Sequence, residues 1–230
     1  MITVMPKIIS LIFIFSIAIS LVSAEEIPQY DVEIILFEHK NNTDINSEVW
    51  PLSPEMPLTE NALEVGQTFS QTTVKRLKPA NYMLSAQMEK LVKSENYLPL
   101  LHVAWRQYVN NTDDAIPVHI RTDLSGNTEE MNHVQPSTTS VIDGNVTVSL
   151  QRFLHMKADL AYMPNNQDGF FSAEGTPLVF RMTESRKMRS KEIHYFDHPK
   201  FGMIAVITPY EAPPQPKPAP EVTTEVPKKN

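Results

Sequence analysis

The stretch KEIHYFDHPKFG, Lys191 to Gly202, gathers two histidines, two carboxylates and a tyrosine. Imidazole and carboxylate together suit zinc or a similar ion. In an extended strand Glu192, His194 and Phe196 share one face, with Ile193 and Tyr195 on the other. Glu192 and His194 could then approach one cation, with Asp197 or His198 as a third ligand. A catalytic site would need that third ligand held rigidly and one position left open. Against this stands ordinary turn chemistry. Asp197 can bond the backbone ahead of it and Pro199 fixes φ, so the cluster also fits a strand end and a tight turn.

The residues leading into the cluster are basic. Arg181, Arg186, Lys187, Arg189 and Lys191 stand in a chain of formal net charge −7. If extended, Lys187, Arg189 and Lys191 share one face. A solvated edge strand uses such charges to discourage aggregation. The functional alternative is a surface for an anionic polymer, with arginine forks matched to carboxylates. Peptidoglycan qualifies, since its stem peptides and muramyl groups carry carboxylates. Trp50 and Trp105 could supply flat surfaces on which sugars stack, or simply pack. Arg152 interrupts the apolar face of a long alternating run. It marks either a bend that turns it to water or a buried guanidinium paired with a carboxylate.

The ends of the chain frame these groups. Lys7 precedes an apolar run from Ile8 to Val22 that closes on small residues, Ser23 and Ala24. That is the pattern of a secretory signal, here with cleavage after Ala24. The run is about 15 residues, short of the roughly 20 that a membrane span needs. The chain contains no cysteine. A disulfide scaffold, a thiolate site and a lipid anchor at the cleavage point are thereby excluded. Export without cysteine points to a bacterial periplasm. The last segment, residues 211–230, is proline-rich and expected to remain unpacked. Between the ends lie roughly 185 residues, enough for one core. The acidic balance argues against general nucleic-acid binding.

The elements that would position the basic and histidine groups are mostly strands. YDVEIILFE from Tyr30 is apolar on both faces, as a central strand would be. Leu84, Met88, Leu91 and Val92 recur at helical spacing, which predicts a helix over residues 82–94. YLPLLHVAWRQYV, PVHI, the long alternation GNVTVSLQRFLHMKADLAY, PLVFRMTESRKMRSKEIHYF and MIAVITPY are extended candidates. The last two join through DHPKFG as a hairpin. Strands follow strands without repeated βα alternation. The expected fold is α+β, a mostly antiparallel or mixed sheet of about five to seven strands with one helix packed on it. The expected division is a leader at 1–24, a single binding domain at 25–210 and the tail. The chain lacks a nucleophile elbow, a phosphate loop and a zincin helix.

Four segments in one order resemble the CsiV family of periplasmic peptidoglycan-binding proteins of gammaproteobacteria. They are YDVEIILFE, LVKSENYLPLLHVAWRQ, GNVTVSLQRFLHMKADLAY and MTESRKMRSKEIHYFDHPKFGMIAVITPY. The resemblance implies a non-enzymatic protein without cofactor. It also implies a role supporting a bifunctional penicillin-binding synthase together with that synthase's outer-membrane lipoprotein activator. It assigns no residue to a ligand. The candidate binding residues are Arg186, Arg189, Lys191, Glu192, His194, His198, Trp105 and Arg152. Two alternatives stand beside this one. The first is a metal-dependent wall hydrolase using Glu192, His194 and His198. The second is a protein-interaction module without direct wall contact.

Overall fold

The first strand is apolar on both faces, and both faces are covered. The computed structural model describes residues 27–40, 54–69, 72–123, 140–165 and 178–212. Residues 1–26, which include the expected leader, Trp50 and residues 213–230 lie outside them. The chain runs β1 (Gln29–His39), β2 (Leu63–Glu64), β3 (Thr68–Phe69), β4 (Thr72–Thr73), β5 (Lys75–Arg76), α1 (Ser85–Val92), β6 (Tyr97–Tyr108), β7 (Pro117–Arg121) and β8 (Val141–Leu150). It continues with β9 (Leu154–Met163), β10 (Phe180–Met188), β11 (His194–His198) and β12 (Phe201–Pro209).

The strands form two five-stranded sheets, ordered β11-β12-β1-β6-β5 and β10-β9-β8-β7-β2, with β3 and β4 as a separate pair. Every pairing in the larger sheets is antiparallel except β2 with β7. The α+β, mostly antiparallel architecture expected from the sequence is the one observed. Its strands are shared between two layers, because two runs that look continuous are broken. GNVTVSLQRFLHMKADLAY is a hairpin, β8 and β9, turning at residues 151–153. Arg152 sits in that turn, exposed, with its guanidinium 5.3 Å from the Phe153 ring centroid. PLVFRMTESRKMRSKEIHYF likewise divides into β10 and β11, which belong to different sheets. Strict period-two alternation survives the three-residue turn, because Leu150 pairs with Leu154 and the inward positions keep their parity, so alternation alone does not reveal the break.

Val32, Ile34 and Leu36 of β1 face the second sheet and join the main core with Leu101, Val103 and Trp105 of β6. Ile35 and Phe37 face the other way and pack with Leu84, Leu91, Ile204 and Val206 beneath α1. The molecule is thus three layers deep: helix, first sheet, second sheet. Between Leu36 and Phe37 the β1–β6 register shifts, leaving Leu100 as the extra residue next to Pro99. Proline cannot donate to a ladder, and a bulge is where a sheet interior tolerates it.

The helix is shorter than its apolar spacing predicts, and Val92 is exposed. Its start is set from outside. Leu84, in the N-cap position, offers no side-chain cap. Instead Glu33 of β1 accepts the backbone N–H of Met83 at 2.6 Å and of Leu84 at 2.8 Å. His102 of β6 adds a third contact, its Nε2 standing 2.7 Å from Glu33 Oε1. Glu33 is only 4 % exposed. Removing a buried acceptor strands its donors, which costs about 1–3 kcal/mol. We therefore expect Glu33→Ala to destabilise the fold by about 3 kcal/mol in urea unfolding, and a loss under half of that would refute this account.

Candidate functional site

The hairpin β11–β12 divides the histidine cluster between the two faces of its sheet. Cross-strand register places Tyr195 beside Ile204 and Asp197 beside Gly202, and Gly202 in turn pairs with Phe37. Tyr195 and Asp197 therefore point to the α1 side. His194, Phe196 and His198 alternate to the opposite side, where Phe196 is part of the main core.

His198 is 8 % exposed and lies among Phe180 and Phe201, its Nδ1 accepting the Lys200 N–H at 3.2 Å. Burial pushes its pKa down to about 4, against a pull from Asp197. His194 accepts the N–H of Arg189 at 3.3 Å. Glu192 lies outside the strand, in the turn, with Arg189 Nη1 3.5 Å away. Glu192, His194 and His198 accordingly do not face one point. Among the described residues no three ligating side chains are placed to hold a metal ion.

The basic segment is also divided. Arg186 is the core-side residue of edge strand β10. It pairs with Glu184 and stands over the Phe196 ring at 5.5 Å. Lys187 faces outward and covers the Phe153 ring. Arg189 and Lys191 lie in the turn that carries the chain from one sheet to the other. The turn is closed by Glu192 N–H to Arg189 O at 3.2 Å and by Lys191 N–H to Ile207 O at 2.8 Å. Lys191 has φ 67°, a left-handed conformation unusual for a residue with a side chain. Lys187, Arg189 and Lys191 do not share a strand face, because the strand ends at Met188. Trp105 is 0 % exposed between the sheets, its Nε1 donating to Gln107 Oε1 at 2.6 Å. It offers no ring face to a sugar.

What the chain does expose is a groove between α1 and the β1, β11 and β12 ends. Its volume is about 530 Å³, within the range of ligand-sized clefts. Phe37, His39, Tyr97 and Tyr195 line the sheet side, and Gln87 and Lys90 the helix side. Tyr195 is 53 % exposed and Tyr97 38 %. Phe37, His39 and Tyr97 pack as a trio with ring centroids 5.3–5.5 Å apart. Gly202 makes room for it: a Cβ there would meet Phe37 Cζ at 2.5 Å. His39 Nε2 is 3.6 Å from Asp197 Oδ1. Burial lowers its pKa below the ordinary value despite that carboxylate, so the imidazole is neutral at pH 7. Sequence reasoning placed Tyr195 opposite His194 but did not connect it with Tyr97 or Lys90. The signal was present in the i, i+3, i+7 polar stripe Gln87, Lys90, Ser94 beside the apolar one, yet nothing local says which strand it faces.

The outer face of the second sheet is polar and largely self-paired. Arg181 forks onto Asp159 at 2.8 and 2.9 Å. Residues 54–58 cross above it, with Asn145 Nδ2 donating to Leu58 O and Arg181 Nη1 to Glu55 O. Nearby, His119 bridges Glu64 at 2.6 Å and Asp143 at 2.7 Å, and Asp143 also accepts from Arg121.

A family model described as "Peptidoglycan-binding protein, CsiV" matches residues 7–210. The chain belongs to the CsiV family. Searches of curated proteins and of solved structures found no match. The family is described by what it binds, peptidoglycan, and the matched span takes in every described helix and strand of the chain. No helix among its described residues is long and apolar enough to cross a membrane.

Two histidines give opposite pH dependences. Carboxylates only accept hydrogen bonds, so His119, bonded at both nitrogens, is a cation. Burial alone would lower its pKa, but the bonds to Asp143 and Glu64 outweigh that and hold it above the ordinary value. Its contribution is complete below the unfolded value of about 6.5 and is lost as pH rises through the folded one. His198 is held neutral. The unfolded chain takes up its proton near 6.5, so stability falls as pH drops from there toward about 4. Urea midpoints measured across pH should show His119→Gln flattening the alkaline decline and His198→Gln flattening the acid one. Parallel curves for wild type and variants would overturn both assignments.

Proposed function

We propose that this member of the CsiV family is a non-enzymatic periplasmic wall-binding protein of a Gram-negative bacterium. Its leader is removed after Ala24, and it supports a bifunctional penicillin-binding synthase alongside that enzyme's outer-membrane lipoprotein activator. The observation that carries the reading is the family match across residues 7–210. The turn between β10 and β11 adds to it. Arg189 and Lys191 are exposed there, and Arg186 lies nearby with its side chain partly open. In an acidic chain these cations offer a local attraction for wall carboxylates. Arg152 lies exposed in the β8–β9 turn beside Lys187, which shares the Phe153 ring with it. His194 supports the turn by accepting the Arg189 N–H.

Pelleting with isolated sacculi tests this. The purified mature protein is expected to sediment with sacculi, and a variant carrying Arg186→Ala, Arg189→Ala and Lys191→Gly to sediment several-fold less at low salt. Glycine is the choice at Lys191 because it accepts φ 67° without strain. Failure of the wild type to sediment would favour an interaction module that reaches the wall only through a partner. Unchanged sedimentation of the triple variant would remove the basic turn from the binding surface.

A further inference from the structure

We infer that the groove between α1 and the β11–β12 hairpin binds the sugar backbone of peptidoglycan, as distinct from its stem peptides. The inference rests on the wall-binding reading and adds to it a site and a ligand chemistry.

The first argument is shape and surface. A pyranose ring has apolar C–H faces and a rim of hydroxyls. Such a ring needs a flat apolar surface beneath it and polar groups at its edge. Tyr195 and Tyr97 are half-open rings on either side of a floor made by Phe37. Both tyrosines also carry a hydroxyl that can donate or accept. The volume of about 530 Å³ accommodates a ligand of one to two sugar rings. Lys90 on the helix, Ser94 just beyond its C-terminal end and Asp197 on β11 supply donors and acceptors around the edge.

The second argument is charge. Stem peptides carry several carboxylates each, while the glycan backbone has at most one lactyl carboxylate per disaccharide among neutral hydroxyls and acetamido groups. The groove carries one cation, Lys90, and one carboxylate, Asp197, which lies 3.6 Å from the His39 member of the aromatic trio. Those charges balance. A balanced aromatic groove does not select an anionic peptide, whereas Lys90 can still meet a single lactyl carboxylate or acetamido carbonyl. The cationic turn at Arg189 and Lys191 bonds to Ile207, and the groove lies at the other end of that strand, beside Gly202. The two ends of β12 therefore present different chemistries to a polymer that contains both.

The third argument is preorganisation. Phe37 is held by its packing on His39 and Tyr97 and by the missing side chain at Gly202. The end of β1 is tied on both sides, His39 N–H to Lys200 O at 2.9 Å and Lys40 N–H to Asn96 O at 2.8 Å. A rigid floor loses little freedom when a ring settles on it.

The test uses purified mature protein and two soluble competitors against sacculi: glycan strands stripped of stem peptides by an amidase, and the released peptides themselves. Glycan strands are expected to compete, and Tyr97→Ala with Tyr195→Ala to weaken glycan binding about tenfold, the loss of two stacking contacts. Both tyrosines are exposed enough for replacement without collapse, and matching thermal melts would verify that. The triple variant of the basic turn should keep its glycan affinity. Competition by peptides alone, or undiminished glycan binding by the double tyrosine variant, overturns the groove while leaving wall binding intact. Absence of any sacculus binding by wild type removes the wall-binding reading and the groove's ligand with it.

Discussion

A carboxylate closed off from water must be met by donors, and Glu33 is met by three. Two are backbone N–H groups just before α1, and one is the ring nitrogen of His102 on the neighbouring strand. This arrangement decides where the only long helix of the described residues sits. A helix of eight residues has little stability by itself. Its first N–H groups have no partner within the helix, and its own N-cap residue, Leu84, supplies none. The Glu33 carboxylate in the sheet below accepts the N–H of Leu84 and of Met83 before it, and its position favours the positive end of the peptide dipoles. Apolar contacts of Leu84 and Leu91 with Ile35, Phe37, Ile204 and Val206 then orient the remaining turn. Because the groove is the space left between this helix and the β11–β12 hairpin, its existence follows from where Glu33 places the helix.

The same sheet explains why the first strand is apolar throughout. A sheet packed on one side alternates, but one covered on both sides does not. The run YDVEIILFE therefore disclosed a central strand from sequence alone. Glu33 is the single polar residue within that buried run, and its polarity is the trace of the helix that caps onto it. The hairpin DHPKFG was equally legible from Pro199 between two extended runs, although the side chain that bonds the turn backbone is His198 rather than Asp197, and Gly202 is required by the distant Phe37 ring. What could not be seen was where extended runs break. Arg152 looked like one polar intrusion in a long strand and is the middle of a tight turn. Lys191 looked like the third cation on one strand face and is a left-handed residue in a crossing between layers. In both cases side-chain alternation continues across the break, so the pattern carries no mark of it. Only pairing with distant strands settles the register.

The site illustrates the same division. The histidines of KEIHYFDHPKFG attract notice because imidazole is rich in chemistry, yet alternation assigns His194 and His198 to the side facing the second sheet. His198 is there a packed ring with its proton withheld by burial. The residues between them, Tyr195 and Asp197, face the helix and the open groove. Their partners, Phe37, Tyr97 and Lys90, come from positions roughly a hundred or more residues earlier. No spacing rule links those positions, since only the antiparallel pairing of β1 with β12 and β6 brings them together. Trp105 shows the converse error. An aromatic residue invites a stacking role, but this one lies on the inner face with Val103 and Leu101, and its polar atom is already held by Gln107.

Charge is arranged with comparable economy. The outer face of the second sheet carries many ionic groups, but Arg181 is bonded to Asp159, and His119 and Arg121 share Asp143. Such pairs cancel each other's field and leave little to draw in a polymer from outside. Arg189 is different. Its contact with Glu192 is long and both side chains are mostly open to water, so its charge remains available. Placing the open cations at a turn, beyond the end of β10, separates them from the carboxylates that neutralise their neighbours. An acidic protein in this way keeps an open cationic turn at one end of a hairpin and a charge-balanced, aromatic groove at the other.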